Sequence, residues 1–256
     1  MSAYADLDTS VIKELPPGRF PINTVIISNQ KRKEVIERIR AACVAGDQAY
    51  WVCTLIEESE TLECQAAEAT ARSLVEELAN IKIGLIHGRL SGEEKNKIMT
   101  NFKNGTIQLL VATTVIEVGV DVPNANLMIV ENAERLGLAQ LHQLRGRIGR
   151  GNNQSHCILL YQAPLSRNSK LRLSVLRDSS DGFHIAEKDL ELRGPGQVLG
   201  TKQAGLMTFK VADLRRDAQL LDDVKVSSEI IFQNHLEHID PLIRRWLGHK
   251  EEYVNV

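Results

Sequence analysis

Short apolar runs alternate with amphipathic stretches from Thr24 onward. Continuous apolar runs are typical of strands buried in a parallel sheet, and they predict strands at residues 24–28, 49–55, 83–86, 107–111, 127–130 and 157–161. Helical periodicity between them predicts helices at residues 31–45, 62–78, 91–102 and 138–144. Ser91 followed by Glu94 predicts a capping box at the start of the third helix. Strict alternation with short links indicates an α/β fold, a parallel sheet with helices on both faces.

The alternation stops after Gln162. Apolar periodicity at residues 166–176 and 185–192 predicts two helices joined by a short turn, which is a helical hairpin. The following Arg193-Gly-Pro-Gly196 predicts that the second helix ends and an irregular loop begins, because glycine and proline disfavour a helix interior. Long irregular loops in compact proteins are more often functional than structural.

Helical periodicity returns over residues 211–246, with Pro241 placed for the first turn of a last helix. The chain is therefore expected to have three parts. Residues 1–23 form an irregular lead-in that reads as a linker, residues 24–162 form the α/β domain, and residues 163–256 form the hairpin, loop and helical tail.

Composition and charge narrow the functional classes. The chain is 43% hydrophobic and 25% charged, as ordinary globular proteins are. A net charge of −2 gives no overall attraction for nucleic acid, so a binding face has to come from local clustering. Cations do cluster in one region, at Arg145, Arg147, Arg150, Arg167, Lys170, Arg172 and Arg177.

The four cysteines show no CxxC spacing, so neither a metal site nor a disulfide framework is predicted. No apolar run reaches the roughly 18 residues that a membrane helix needs, and no signal peptide is present. We expect a monomeric protein of the reducing cytoplasm that does not associate with membranes.

The strongest chemical signal is the segment Gln143 to Arg150, which reads QLRGRIGR. Arg147 and Arg150 are three residues apart and would share one face if the segment is helical. Their guanidinium groups match phosphate oxygens with paired donors, and the intervening glycines let a ligand approach closely. Two arginines alone are more typical of a solvated surface, so the interpretation depends on the sequence around them.

The stretch Ala112 to Ala125, which reads ATTVIEVGVDVPNA, begins where a predicted strand ends, and this edge of an α/β sheet commonly binds ligands. Together with QLRGRIGR it resembles motifs V and VI of superfamily 2 helicases, whose carboxy-terminal motor domain has a RecA-like fold. Residues 4–18, 50–60 and 87–89 extend the likeness to essentially the whole chain. On these segments the chain resembles the carboxy-terminal part of the RecG family of bacterial ATP-dependent DNA helicases.

The segments Arg172 to Phe183 and Glu187 to Gly196 resemble the translocation motif, which that family shares with the transcription-repair coupling factor. The resemblance implies that Arg172, Arg193 and Gln203 couple ATP hydrolysis to movement on DNA. Asp189 and Glu191 are candidate partners for the two arginines.

The resemblance also implies roles at the nucleotide. Arg150 would be the arginine finger on the γ-phosphate of ATP, Arg147 its companion, and Gln143 a neighbour. Gly119 and Asp121 would lie on the nucleotide side, although an aspartate in such a position also commonly caps a helix or turn.

On the DNA side, the resemblance implies contacts from Thr54, His87, Gly88, Arg89, Thr113 and Thr114. A lone histidine at a strand end is more often structural, so both interpretations of His87 stay open. The implied partner is branched double-stranded DNA, such as stalled replication forks and Holliday junctions.

The chain departs from a complete family member because none of its 256 residues forms a GxxxxGK[ST] phosphate loop or an acidic Walker B segment. We therefore expect a fragment of a bacterial cytoplasmic protein, beginning after the first motor domain, and unable to hydrolyse ATP alone. The Mg²⁺ ligands would lie on that first motor domain, and a DNA-binding wedge domain would also precede the chain.

Two other functions remain open. A transcription-repair coupling factor would carry a further folded domain after the hairpin, whereas only about fifty residues follow Gly205 here. A non-enzymatic nucleic-acid-binding module built on a degenerate motor fold is the other alternative, and the intact Gln143, Arg147 and Arg150 disfavour it.

Overall fold

A computed structural model describes residues 20–54, 60–114, 122–151, 153–197 and 217–247. The strands are β1 (Asn23–Ser28), β2 (Gln48–Val52), β3 (Ile83–Ile86), β4 (Leu109–Ala112), β5 (Ala125–Val130) and β6 (His156–Tyr161). The helices are α1 (Arg32–Val44), α2 (Glu60–Glu77), α3 (Gly92–Lys103), α4 (Leu138–Arg145), α5 (Arg167–Asp178), α6 (Gly182–Gln197), α7 (Leu221–Asn234) and α8 (Ile239–Leu247). The part of the predicted lead-in before Phe20 lies outside the described residues.

The strands form one sheet in the order β1-β6-β5-β2-β4-β3, and every neighbouring pair is parallel. The predicted parallel α/β sheet is confirmed. All strands therefore end at one edge, which we name the carboxyl edge, and begin at the opposite amino edge. Parallel strands are connected by helices that cover both faces of the sheet. The central strands β2 and β4 are therefore buried on both faces, and their sequences are nearly continuous apolar runs.

Side chains along β2 alternate between two cores. Tyr50 and Val52 point to the face covered by α3, α4 and α5. Ala49 and Trp51 point to the face covered by α1 and α2. Helices on both faces are thus confirmed, and each large apolar side chain buried there contributes about 1.5–3 kcal/mol of transfer free energy.

The predicted capping box holds the start of α3. Ser91 Oγ accepts a hydrogen bond from the Glu94 N–H at 3.3 Å, and the Glu94 carboxylate accepts from the Ser91 N–H at 2.9 Å. Two N–H groups that the helix cannot satisfy are therefore paired, which typically contributes about 1 kcal/mol.

The predicted hairpin is also present, as α5 and α6 separated by residues 179–181. Its apolar side, Leu173, Leu176 and Ile185, joins the core against α4. The predicted end of the second helix is wrong, because α6 runs through Arg193-Gly-Pro-Gly196 to Gln197. Pro195 lies in the last turn, so only one backbone hydrogen bond is lost close to an end where the carbonyl groups lack helical partners in any case.

The backbone divides into two compact units, one ending at Pro195 and the other containing α7 and α8. Pro241 occupies the first turn of α8, as predicted. In the described part of the chain, no helix has both the length and the apolar character needed to cross a membrane. Cys43, Cys53, Cys64 and Cys157 are free thiols, and each is buried.

Candidate functional site

The candidate DNA-binding residues meet at the carboxyl edge. Thr54 follows β2, His87 to Arg89 follow β3, and Thr113 and Thr114 follow β4. Since β4 lies between β2 and β3, these three strand ends are neighbours. Backbone hydrogen bonds continue the sheet to this point, from Thr113 N–H to the Ile86 carbonyl and from Cys53 N–H to the Ala112 carbonyl.

Two polar atoms at this edge are buried without a partner among the described residues, Thr113 Oγ1 and His87 Nδ1. Thr113 is 2% exposed and His87 is 8% exposed. A buried polar atom without a hydrogen bond costs about 1–3 kcal/mol, so both positions favour a ligand that supplies one. The other imidazole nitrogen of His87 lies 3.8 Å from the Glu68 carboxylate, and Arg89 is exposed.

The neighbouring glycine is held in place through its backbone. The Gly88 carbonyl accepts a hydrogen bond from Lys95 Nζ at 2.8 Å. Lys95 comes from the first turns of α3, so the turn after β3 is fixed to the helix that follows it.

Thr54 differs from the other threonines because its hydroxyl is engaged within the chain. It lies within hydrogen-bonding distance of two backbone carbonyls, Glu131 at 2.6 Å and Asn132 at 3.2 Å. Asn132 has a left-handed φ of 48°, a conformation that asparagine tolerates better than most residues. The contact ties the end of β2 to the turn after β5.

An ion-pair network lies beside this turn and was not predicted from the sequence. Arg32, at the start of α1, donates to the carboxylates of Glu131 at 2.9 Å and Glu77 at 3.2 Å. Its guanidinium carbon lies 5.0 Å from the Trp51 ring centroid, a cation–π contact. Burial lowers the pKa of Arg32, but the hydrogen bonds and charges of the two carboxylates outweigh it, and the net pKa is raised.

The candidate nucleotide residues of motif VI lie at the other end of the sheet, the amino edge. Gln143 is in α4, which ends at Arg145, and Gly149 has a φ of +76°. Arg147 and Arg150 are therefore in a turn and do not share a helical face, which corrects the helical interpretation of their spacing. The left-handed φ of Gly149, between the two arginines, is the physical reason that a helix cannot extend across both.

This turn packs against the start of two strands. Gly149 lies against Ile22, which precedes β1, and a side chain at Gly151 would collide with the Pro123 carbonyl just before β5. The described end of motif V, at Pro123 to Ala125, and the motif VI turn therefore meet at the amino edge. Gly119 and Asp121 themselves lie outside the described residues.

The two candidate sites are thus at opposite edges of one sheet. Strands of four to six residues separate them, a length of roughly 13–20 Å.

Three of the seven clustered cations are engaged by other groups of the chain, and Arg145 is too buried to belong to an exposed cationic face. Arg145 is 4% exposed and donates to backbone carbonyls at the end of α5. Arg172 is half-buried, and Arg177 pairs with Asp178 at 2.7 Å. Burial of a guanidinium group requires acceptors, and carbonyl groups at the end of a helix provide them.

Arg172 connects the hairpin to the α/β domain. Its Nη2 donates to the Glu134 carbonyl at 2.8 Å and lies 3.3 Å from Ser169 Oγ, while its buried Nε has no partner among the described residues. Glu191, a candidate partner, instead pairs with Lys188 at 2.7 Å. The backbone of Arg193 is in α6, but its side chain and all of Gln203 lie outside the described residues.

One group of potential metal ligands occurs in the described residues, His235, Glu237 and His238. Its donor atoms lie within 4.8 Å of one another and all three residues are exposed. Two imidazoles and one carboxylate do not suit Mg²⁺, which prefers oxygen ligands. This group is therefore not a candidate for the Mg²⁺ that accompanies ATP.

Comparison with known families gives the class of the protein. The family model for the helicase conserved C-terminal domain matches residues 30–152, which include β2 to β5 and α1 to α4. A second model, for the carboxy-terminal part of domain 3 of the ATP-dependent DNA helicase RecG, matches residues 179–247. Fold, motifs and family models together define a carboxy-terminal helicase domain with a RecA-like sheet.

The ATP-dependent DNA helicase RecG of Escherichia coli O127:H6 is 60% identical over all of this chain, which corresponds to 37% of that protein. The RecG of Haemophilus influenzae is 58% identical, again over all of this chain and 37% of that protein. A solved structure of RecG bound to a three-way DNA junction matches with 45% identity and a TM-score of 0.66, over 86% of this chain and 28% of that one. The chain therefore belongs to the RecG family and corresponds to the carboxy-terminal region of its members. It spans 37% of the length of these curated relatives.

Proposed function

We propose that this chain is the second motor domain and coupling hairpin of an ATP-dependent DNA helicase that remodels branched DNA. The observations that support the proposal are that the motif VI turn packs at the amino edge and that the unsatisfied polar atoms of Thr113 and His87 lie at the carboxyl edge. One rigid sheet then links a nucleotide site to a DNA site.

ATP would bind at the amino edge, between this domain and the first motor domain. Arg150 would contact the γ-phosphate, with Arg147 and Gln143 beside it. Gly119 and Asp121 would contact the nucleotide from the segment before β5. The turn fits this role because it is held at the amino edge, where Gly149 packs against Ile22 and Gly151 against Pro123. Mg²⁺ would be held by the other motor domain.

DNA would bind at the carboxyl edge through its phosphate groups. Thr113 Oγ1 and His87 Nδ1 would gain there the hydrogen bonds that the described chain does not give them. Thr114, Gly88 and exposed Arg89 would extend the contact, and Thr54 would hold the adjoining turn in place. Branched DNA is the proposed substrate because the solved RecG relative was bound to a three-way junction.

The hairpin would transmit motor movement to DNA. Arg172 supports this role because it fixes α5 to the turn after β5, the same turn that holds Thr54. Arg193, near the end of α6, and Gln203, in the segment that follows it, would act further along the chain. We further propose that this chain alone does not hydrolyse ATP, because it has no phosphate loop.

The arginine finger provides the decisive test. In a full-length protein that contains this chain, Arg150→Ala should leave ATP affinity within a few-fold and lower hydrolysis by roughly 10³- to 10⁵-fold, because the contact matters most as charge develops on the transferring phosphoryl group. Arg150→Lys should restore little of the rate, since a lysine cannot reproduce the paired donors. The measurements are nucleotide binding and DNA-stimulated ATP turnover.

Arg38→Ala is a matched control, because Arg38 is an exposed arginine on α1 away from both edges. Its turnover should equal that of the unmodified protein. If Arg150→Ala also keeps near-normal turnover, Arg150 is structural, and a non-enzymatic DNA-binding role becomes the better explanation.

A further inference from the structure

Arg145 is a buried cation whose described contacts are all with neutral groups. Its Nη1 donates to the Leu176 carbonyl at 2.6 Å and the Ser179 carbonyl at 2.9 Å, and lies 3.4 Å from Thr24 Oγ1. Its Nη2 lies 3.2 Å from His142 Nδ1. The two carbonyls belong to the end of α5 and to the turn between α5 and α6. A cation is favoured at a helix carboxyl end, where the helix dipole is negative.

His142 supports this arrangement as an acceptor. Burial, and then the charge of Arg145, lower the pKa of His142, so its ring is neutral and Nδ1 can accept from the guanidinium. The same histidine packs against the first residue of α6. A Cβ atom built at Gly182 would lie 3.1 Å from His142 Nε2, so α4 and the hairpin turn approach as closely as a glycine allows.

Arg145 lies at the junction between α4 and the motif VI turn, so its contact with the hairpin acts at that junction. Arg145 is the last residue of α4, and the turn carrying Arg147 and Arg150 follows at once. One end of α4 therefore leads directly into motif VI, and the same end is hydrogen-bonded to the hairpin turn.

We propose that Arg145 is a positioning residue that makes the motif VI turn and the α5–α6 hairpin move together. This inference rests on the proposed function and extends it. When the arginine finger shifts with the state of the nucleotide, the guanidinium group of Arg145 carries the carbonyls of Leu176 and Ser179 with it. Arg145 thus links the ATP side of the domain to the translocation motif, and is not part of the surface that binds DNA.

The test measures base pairs of forked DNA unwound per ATP hydrolysed, in a full-length protein that contains this chain. Arg145→Met keeps the length and apolar stem but removes every donor. It should leave DNA-stimulated ATP hydrolysis within about threefold and lower the unwinding ratio about tenfold, a value within the usual range of coupling between sites. Arg145→Lys retains a cation with a single donor group and should recover part of the ratio.

Gly182→Ala perturbs the contact between α4 and the hairpin turn from the hairpin side, at His142, and leaves Arg145 itself unchanged. Its added methyl group presses on His142 and should lower the unwinding ratio at least about twofold, a coupling loss of about 0.4 kcal/mol. This variant decides the question if Arg145→Met does not fold.

Arg40→Met is the matched control, because Arg40 also donates to a carbonyl at the end of a helix, that of Glu77 in α2. It lies on the face covered by α1 and α2, away from the hairpin, and should leave the unwinding ratio unchanged.

An unchanged ratio in both Arg145→Met and Gly182→Ala would overturn the inference. A parallel loss of hydrolysis and unwinding would also overturn it, since Arg145 would then serve catalysis alone. These outcomes are distinct from failure of the proposed function, which appears as normal ATP turnover in Arg150→Ala.

Discussion

The Arg32 network should be one of the main stabilising contacts at the carboxyl edge. Replacing Arg32 with methionine removes hydrogen bonds to Glu131 and Glu77 and the contact over Trp51, while it keeps most of the apolar stem. Glu131 is then left without its cation, next to the turn that holds Thr54.

The size of the loss follows from the geometry. A charge-assisted hydrogen bond contributes about 1.5–3 kcal/mol. The three side chains are 15–33% exposed, so solvent screening keeps each bond near the lower limit. The cation–π contact adds about 0.5–1 kcal/mol. Packing of the methionine side chain recovers a small part of this free energy. We therefore expect Arg32→Met to lower the free energy of unfolding by about 3 kcal/mol.

Urea unfolding of this chain, followed by far-ultraviolet circular dichroism, measures the effect. Arg38→Met changes an exposed arginine of the same helix and should stay within about 0.5 kcal/mol. In the double variant Arg32→Met/Glu131→Gln the loss should be smaller than the sum of the single losses by about 1 kcal/mol or more. Additive losses, or an Arg32→Met effect as small as that of Arg38→Met, would refute the network as a source of stability.

Two further predictions concern single polar groups. The folded-state pKa of His142 lies below its ordinary value of 6.5 because of burial and the charge of Arg145, so below that pH the unfolded chain binds a proton that the folded chain does not, and stability falls. Unfolding at pH 7.5 and 5.5 should therefore show a smaller loss for His142→Gln than for the unmodified chain, and equal losses would contradict the assignment. Thr113→Val removes an unsatisfied buried hydroxyl, so it should leave stability unchanged or raise it by up to about 1 kcal/mol, yet weaken binding of forked DNA by the full-length protein about fivefold. Binding titrations at several salt concentrations should give an unchanged slope, because no charge is lost, and unchanged affinity would remove Thr113 from the DNA site.

Much of the fold was predictable because local patterns agree with the tertiary structure. The strand at residues 83–86 was placed at its observed bounds, and the Ser91 capping box set the start of α3. The end of α6 was not predicted correctly, because Pro195 and the glycines on either side of it destabilise a helix only slightly when they lie in its last turn. The sheet order was also inaccessible, since it depends on which way each crossover runs. That order brings the ends of β2, β4 and β3 together.

The candidate site was predictable as motifs but not as geometry. Sequence alone grouped Arg145 with Arg147 and Arg150 as cations of one surface. The structure separates them, because the acceptors of Arg145 are backbone carbonyls at the end of α5 and in the turn after it, 31 and 34 positions further along the chain. Every residue has a backbone carbonyl, so the type of residue does not reveal which one accepts a hydrogen bond. Such a contact therefore cannot be predicted from the sequence. Arg32 was overlooked for a similar reason, since its carboxylate partners come from distant elements.

The burial of all four cysteines gives the domain a practical property. Desolvation raises the pKa of Cys43 to about 11 and the pKa values of Cys53 and Cys157 to about 12, and Cys64 is equally enclosed. Thiolate is the reactive form, so the three thiols with raised pKa values are poor targets for alkylating dyes, and burial shields all four from reagents. A cysteine placed at an exposed position on the hairpin, such as Glu187→Cys, would be modified selectively without first removing the natural ones. In this chain, a fluorophore can therefore be attached to the hairpin with little labelling of the four natural cysteines.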